Sequence, residues 1–258
     1  MPLACSADPD MGFPPLLMVH GLLVSRRLWE PNESLALSFR RIRVDLPAHG
    51  DSGSPKSAAA AYPENLVRQL DALRQELGIE RWHLCGQSFG AGLVLRYALD
   101  LPQHSGALVF TNANAALRHD WPDELKEANA NRINALKANG ADALRGLPYH
   151  PVHARRFPAD LRAALTRDAD GTDPDGLALL LGEGLPRLSV QHRLQELSVP
   201  AMLINGVKES KFQPIRNWLS RMHPSIGITD LEGGHSVNVD CSAAFDSAVC
   251  DFLGKVPL

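Results

Sequence analysis

The chain has 258 residues and a formal net charge of −3, from 26 Lys and Arg against 29 Asp and Glu. That length buries a sizeable core as one large domain, with or without an insertion, and the near-balanced charge excludes the basic footprint that nucleic acid or an anionic membrane surface requires. The four cysteines, Cys5, Cys85, Cys241 and Cys250, show no C-x-x-C spacing, and the ten histidines form no ligand cluster, so no disulfide frame and no metal site is expected.

The first thirteen residues lack a charged start followed by an apolar run, and the run at 16–19 is too short to span a bilayer, so a cytoplasmic protein is expected. After an irregular leader ending at Pro14-Pro15, Leu16-Leu17-Met18-Val19 reads as a parallel strand buried on both faces, stopped by His20-Gly21. A loop at 22–25 leads to a helix predicted over 29–38. A second strand is predicted over 41–46, then turn chemistry at 47–53 and an alanine-rich surface loop at 57–61. Leu66, Leu70, Leu73 and Leu77 recur at helical spacing, with Gly78 as a stop. Further strands are predicted at 82–85 and 107–111, with a helix over 91–99 between them. Strands and helices alternate without hairpin signals, which argues an α/β fold: a mostly parallel, doubly wound sheet.

That rhythm breaks at 114–187, where only helical stretches are expected, around 122–139, 158–168 and 175–183. This segment reads as a helical lid inserted into a core made of 1–113 and 188–258. Its arginines, among them Arg145, Arg155, Arg156, Arg162 and Arg167, are expected on a solvated surface, and Trp121, Leu144, Leu147, Leu179 and Leu180 in the packing of the lid itself. Strands at 199–204 and 226–231 and helices at 212–221 and 243–253 complete the alternation.

The chemistry centres on Gly86-Gln87-Ser88-Phe89-Gly90, a Gly-x-Ser-x-Gly pentapeptide between a strand and a helix. A serine on such a turn takes an uncommon backbone conformation that flanking glycines tolerate, and its hydroxyl stands clear of the sheet as a candidate nucleophile. A hydroxyl is too weak an acid to attack an acyl carbon unaided, so it needs a base and a group that orients the base. His235, in the glycine-rich loop after the last strand, is the candidate base. Glu209, just past the strand ending near Asn205, is the candidate acid, ahead of Asp230 within a strand and Asp240 beyond the histidine loop; Asn112 lacks the charge. For the oxyanion, the backbone N–H groups of Phe89 and Leu22 are the candidate donors, by position alone. His20 and His49 are read as structural.

His20-Gly21, the stretch from Asp45 through His49-Gly50 to Ser52, the pentapeptide and Gly233-Gly234-His235 resemble, in order and spacing, the α/β-hydrolase superfamily over essentially the whole chain. The segment from Gly206 to Phe212 is similar to a motif of the small branch that contains the menaquinone-pathway lyase-type enzyme. That branch has a tyrosine before the serine, an arginine shortly after the second glycine and an aspartate after Gly206; this chain has Gln87, only Ala91 to Leu93, and Glu209. A serine at the elbow also separates it from the epoxide hydrolases and dehalogenases, which resemblance would require to carry aspartate there.

The expectation is therefore hydrolysis of a carboxylic ester or thioester through an acyl-enzyme, on a small-molecule acyl substrate and without a cofactor. The alternatives are C–C cleavage or elimination on a small acid by the same residues, and a non-catalytic fold that binds a ligand under the lid. Oligomeric state and substrate identity are not legible.

Overall fold

In a computed structural model, residues 2–258 are described; Met1, the first residue of the expected leader, lies outside them. Seven strands form one sheet: β1 (Cys5–Ala7), β2 (Pro15–Val19), β3 (Arg40–Val44), β4 (Trp82–Gly86), β5 (Ser105–Phe110), β6 (Ala201–Gly206) and β7 (Gly227–Leu231), in spatial order β1-β3-β2-β4-β5-β6-β7. Every pair is parallel except β1 with β3, which runs antiparallel through Cys5 and Val44. The helices are α1 (Pro63–Glu76), α2 (Phe89–Asp100), α3 (Asp123–Asn139), α4 (Ala159–Asp170), α5 (Pro174–Leu179), α6 (Gln213–Met222), α7 (Val237–Asp240) and α8 (Ser242–Leu253).

Strand periodicity divides the core. On β2, Leu17 and Val19 face a cluster completed by α1, α2 and α6, through Leu66, Leu70, Leu93 and Leu219. Leu16 and Met18 point the other way, onto Trp29, Leu35 and, from α8, Phe245 and Val249. The sheet is thus covered on both faces, which explains why its central strands read as continuous apolar runs. Between β5 and β6 the chain builds no strand among the described residues: α3 and α5 pack together with short turns through Leu136, Leu144, Leu147, Leu177 and Leu181, and α4 joins them through Ala169 while its Leu161 and Leu165 pack against Leu28 and Val239.

Three expectations are corrected. The irregular leader contains β1, an edge strand fixed by pairing with β3 rather than by its own three residues. The helix expected over 29–38 is two 3-10 turns, Arg26–Trp29 and Glu33–Leu37; Pro31 removes an N–H at the join, and the Ser25 side chain caps the first turn by accepting from Arg27 N–H. The strand expected from Val199 starts at Ala201, after Pro200. No helix among the described residues is long and apolar enough to cross a membrane.

Candidate active site

β4 ends in Gly86 and α2 begins at Phe89, so Ser88 occupies the cap position between them with φ 54° and ψ −114°. Positive φ is costly for a residue with a side chain, by about 1 to 3 kcal/mol, and persists only where surrounding packing imposes it. The packing is visible at Gly90. A Cβ there would run into the carbonyl oxygens of Val19 and His20, so only glycine lets α2 start this close to the end of β2. At Gly86 a Cβ would meet Gly90 O at 2.6 Å, so the same crowding acts from the strand side.

Glu209 follows the end of β6 and His235 follows the end of β7. His235 Nδ1 lies 3.0 Å from Glu209 Oε2. A carboxylate only accepts, so Nδ1 carries the hydrogen, and in the neutral imidazole it is Nε2 that has the free lone pair. Glu209 is held by two further donors that the sequence did not reveal as partners: Asn112 Nδ2 at 2.7 Å from Oε2 and Asn114 Nδ2 at 2.8 Å from Oε1. Burial pushes the Glu209 carboxyl up, but the hydrogen bond and charge of His235, with Asn112 and Asn114, outweigh it and hold it below the usual carboxylate range. Neither rival acid reaches the imidazole. Asp230 is bound by Asn205 and Arg216, and Asp240 accepts from Gly234 N–H at 2.7 Å. The only sequence signal for the asparagines was their place immediately after a buried strand.

The loop after β2 is pinned by two buried histidines. His20 donates from Nδ1 to Gly21 O at 2.6 Å and accepts Leu46 N–H at Nε2, 3.0 Å away. His49 donates to Pro47 O and accepts Leu23 N–H at 2.9 Å. Burial pushes His20 down to about 4, and burial together with the nearby His20 pushes His49 down to about 3, so both stay neutral and serve the backbone. Between these anchors lies Leu22, whose N–H was the second expected donor. Phe89, as the first residue of α2, has an N–H with no acceptor inside the helix.

Ser88, His235, Leu22 and Phe89 all line one cavity of about 760 Å³. Among the described residues no hydrogen bond joins Ser88 to the imidazole. Gln87, buried beside the serine, instead ties the two loops together by donating to His235 O at 3.3 Å. The other walls come from residues 114–157, including Arg118, Trp121, Arg132 and Tyr149. The arginines lie on solvated surface as expected: Arg145 makes an exposed pair with Asp170, and Arg155 and Arg156 are exposed where they line the rim of the cavity. Trp121 is a cavity wall; Leu144 and Leu147 pack within the lid as expected, but Leu180 joins the cluster that covers the sheet and Leu179 packs against it.

The sheet order, the strained serine between β4 and α2, and the acid and histidine after β6 and β7 define an α/β hydrolase. A family model described as alpha/beta hydrolase fold matches residues 14–240, and the chain belongs to that family. Among curated proteins it is 27% identical over 259 residues to 2-succinyl-6-hydroxy-2,4-cyclohexadiene-1-carboxylate synthase of Yersinia pseudotuberculosis, covering 94% of this chain and 88% of that one. It is 25% identical over 250 residues to carboxylesterase YbfK of Bacillus subtilis, covering 93% and 80%. Among solved structures, the enol-lactonase of Burkholderia xenovorans superposes with a TM-score of 0.84 at 23% identity, covering 98% of this chain and 96% of that one, a likeness of fold.

Proposed function

We propose that this protein is a serine hydrolase that cleaves a carboxylic ester or thioester through an acyl-enzyme. The observation that carries the reading is the Glu209–His235 hydrogen bond at 3.0 Å, which orients an imidazole lining the same cavity as the strained Ser88. Ser88 Oγ attacks the acyl carbon while its proton passes to His235 Nε2. Glu209 holds the tautomer and stabilises the imidazolium. Leu22 and Phe89 N–H groups receive the developing oxyanion, each such donor being worth about 3 to 4 kcal/mol of barrier. His235 then protonates the departing alcohol or thiol, and a water activated by the same imidazole releases the acid and restores the Ser88 hydroxyl. The segment 114–187 acts as the lid in this scheme, since it supplies most of the remaining wall.

A second reading has one observation in its favour, the similarity to a synthase named for a cyclohexadiene carboxylate. There Ser88 and His235 would act as a base in an elimination, without acylation. Intact-mass measurement after mixing with p-nitrophenyl acetate separates the two. An acetyl adduct, absent in Ser88→Ala, supports hydrolysis; inert esters with no adduct favour elimination. Fluorophosphonate labelling that persists in Ser88→Ala would identify another nucleophile and end both readings.

A further inference from the structure

The cavity is cationic in a chain that is not. The protein carries a net charge of −3, yet Arg118, Arg132, Arg155 and Arg156 line the cavity against one carboxylate, Asp240. That carboxylate is already engaged, by Gly234 N–H at 2.7 Å and by Arg156 at 3.6 Å. Arg155 and Arg156 are exposed at the rim, where water compensates them. Arg118 and Arg132 are half-buried. Neither guanidinium has a hydrogen bond or a carboxylate partner among the described residues; Arg118 only stacks on Trp121, 4.9 Å from the ring centroid. By contrast, the half-buried Arg26, Arg43, Arg193 and Arg216 each face an acid.

Removing a guanidinium from water without a partner is costly, and burial does lower the Arg118 pKa. Two neutral donors share the predicament: the Tyr149 hydroxyl and Trp121 Nε1 are buried on the cavity wall with no hydrogen-bond partner. A wall of four unmatched donors, two of them charged, is complementary to an anion with several acceptor oxygens.

We propose that Arg118 and Arg132, supported by Tyr149 and Trp121, form an anion subsite, and that the ester or thioester substrate carries a second, anionic group that docks there. This deepens the hydrolase reading and rests on it for turnover. The anion is a carboxylate on the acyl chain or a phosphate on a thiol carrier; both present oxygens to the same donors, and the assay separates them.

The test compares kcat/KM for monomethyl adipate with dimethyl adipate, and for hexanoyl-coenzyme A with hexanoyl-pantetheine, in wild type, Arg118→Met and Arg132→Met. The expected result is a preference of about tenfold or more for the anionic member of one pair, which collapses in both variants. A preference in the adipate pair assigns the carboxylate, and in the thioester pair the phosphate. Equal rates within both pairs, or a preference that survives both substitutions, overturns the subsite. Melting temperature and fluorophosphonate labelling of Ser88 confirm folding, and the neutral Arg118→Gln and Arg132→Gln serve if a methionine variant is unfolded. Should wild type turn over no ester or thioester, the hydrolase reading fails alone. Calorimetric binding of adipate and of inorganic phosphate then decides the subsite: binding of either that is lost in the variants retains it, and no binding of either rejects it.

Discussion

Replacing Glu209 by glutamine tests the arrangement at its most informative point. The carboxylate receives three hydrogen bonds, from His235 at 3.0 Å, Asn112 at 2.7 Å and Asn114 at 2.8 Å. An amide has one accepting oxygen, so in Glu209→Gln one end must present N–H either to an asparagine N–H or to His235 Nδ1. In the second case the imidazole keeps its hydrogen on Nε2 and has no lone pair for Ser88. In the first, the charge that stabilises the imidazolium is gone. The expected loss is about 10³ to 10⁴ in kcat, or roughly 4 to 5.5 kcal/mol at 1.36 kcal/mol per decade. Glu209→Asp keeps the charge but falls one methylene short of His235, and should recover a large part of that loss. The assay is steady-state hydrolysis of p-nitrophenyl acetate, with the rate of fluorophosphonate labelling as an independent measure of serine reactivity. Retention of more than about a tenth of wild-type kcat in Glu209→Gln would refute the reasoning, because some other group would then be orienting the base.

Gly90→Ala sets helix propensity against packing: alanine gains about 1 kcal/mol inside a helix, whereas its Cβ meets the carbonyls of Val19 and His20. Urea unfolding should show a net loss of about 1 kcal/mol or more, and an unchanged or raised stability would contradict the crowding. Acid titration of stability follows from His20. A histidine that titrates at 6.5 in the unfolded chain and at about 4 when buried binds fewer protons folded than unfolded, so stability falls as pH drops from about 6.5 toward 4, by about 3 kcal/mol for this residue. His20→Gln should flatten the slope of urea-unfolding free energy over that window, and an unaltered slope would exclude His20 as its source. The Glu209 carboxyl, held low, adds stability that is present above the ordinary carboxylate range and is lost only as pH falls through its lowered value, beneath most of the histidine window. Asp240→Ala frees Gly234 N–H beside His235. It should lower kcat about tenfold or more with KM little changed, and an unchanged kcat would show that the loop holds itself.

The legible parts of the structure were those whose causes lie within a few residues. The turn at Ser88 could be read because Gly86 and Gly90 answer a crowding that β4 and α2 create wherever they meet. His235 could be read because a glycine-rich loop closes the last strand. β1 could not, since three residues become a strand only by pairing with β3. The 29–38 helix was misread because apolar spacing outweighed Pro31, and because the buried Asn32, which donates to Asn238 O at 3.0 Å, belongs to a contact 206 residues away. Asn112 and Asn114 were passed over for the same reason: what they do depends on where β6 delivers Glu209.

This division has a structural origin. In a parallel sheet the carboxyl ends of all strands lie along one edge, so the loops after β2, β4, β6 and β7 bring Leu22, Ser88, Glu209 and His235 together whatever the intervening sequence does. The acyl chemistry proposed for them therefore needs only short motifs at strand ends. The opposite wall is built by 114–157 folding back from β5 across that edge, and which of its side chains face inward depends on contacts such as Leu136 with Leu181 and Asn129 Nδ2 with Leu181 O at 2.7 Å. The selectivity proposed for Arg118, Arg132 and Tyr149 would then change by repacking helices while the residues at the strand ends stay fixed. Two relatives named for different activities, a carboxylesterase and a synthase, align over 80% and 88% of their lengths with the same chain, as such an arrangement would allow.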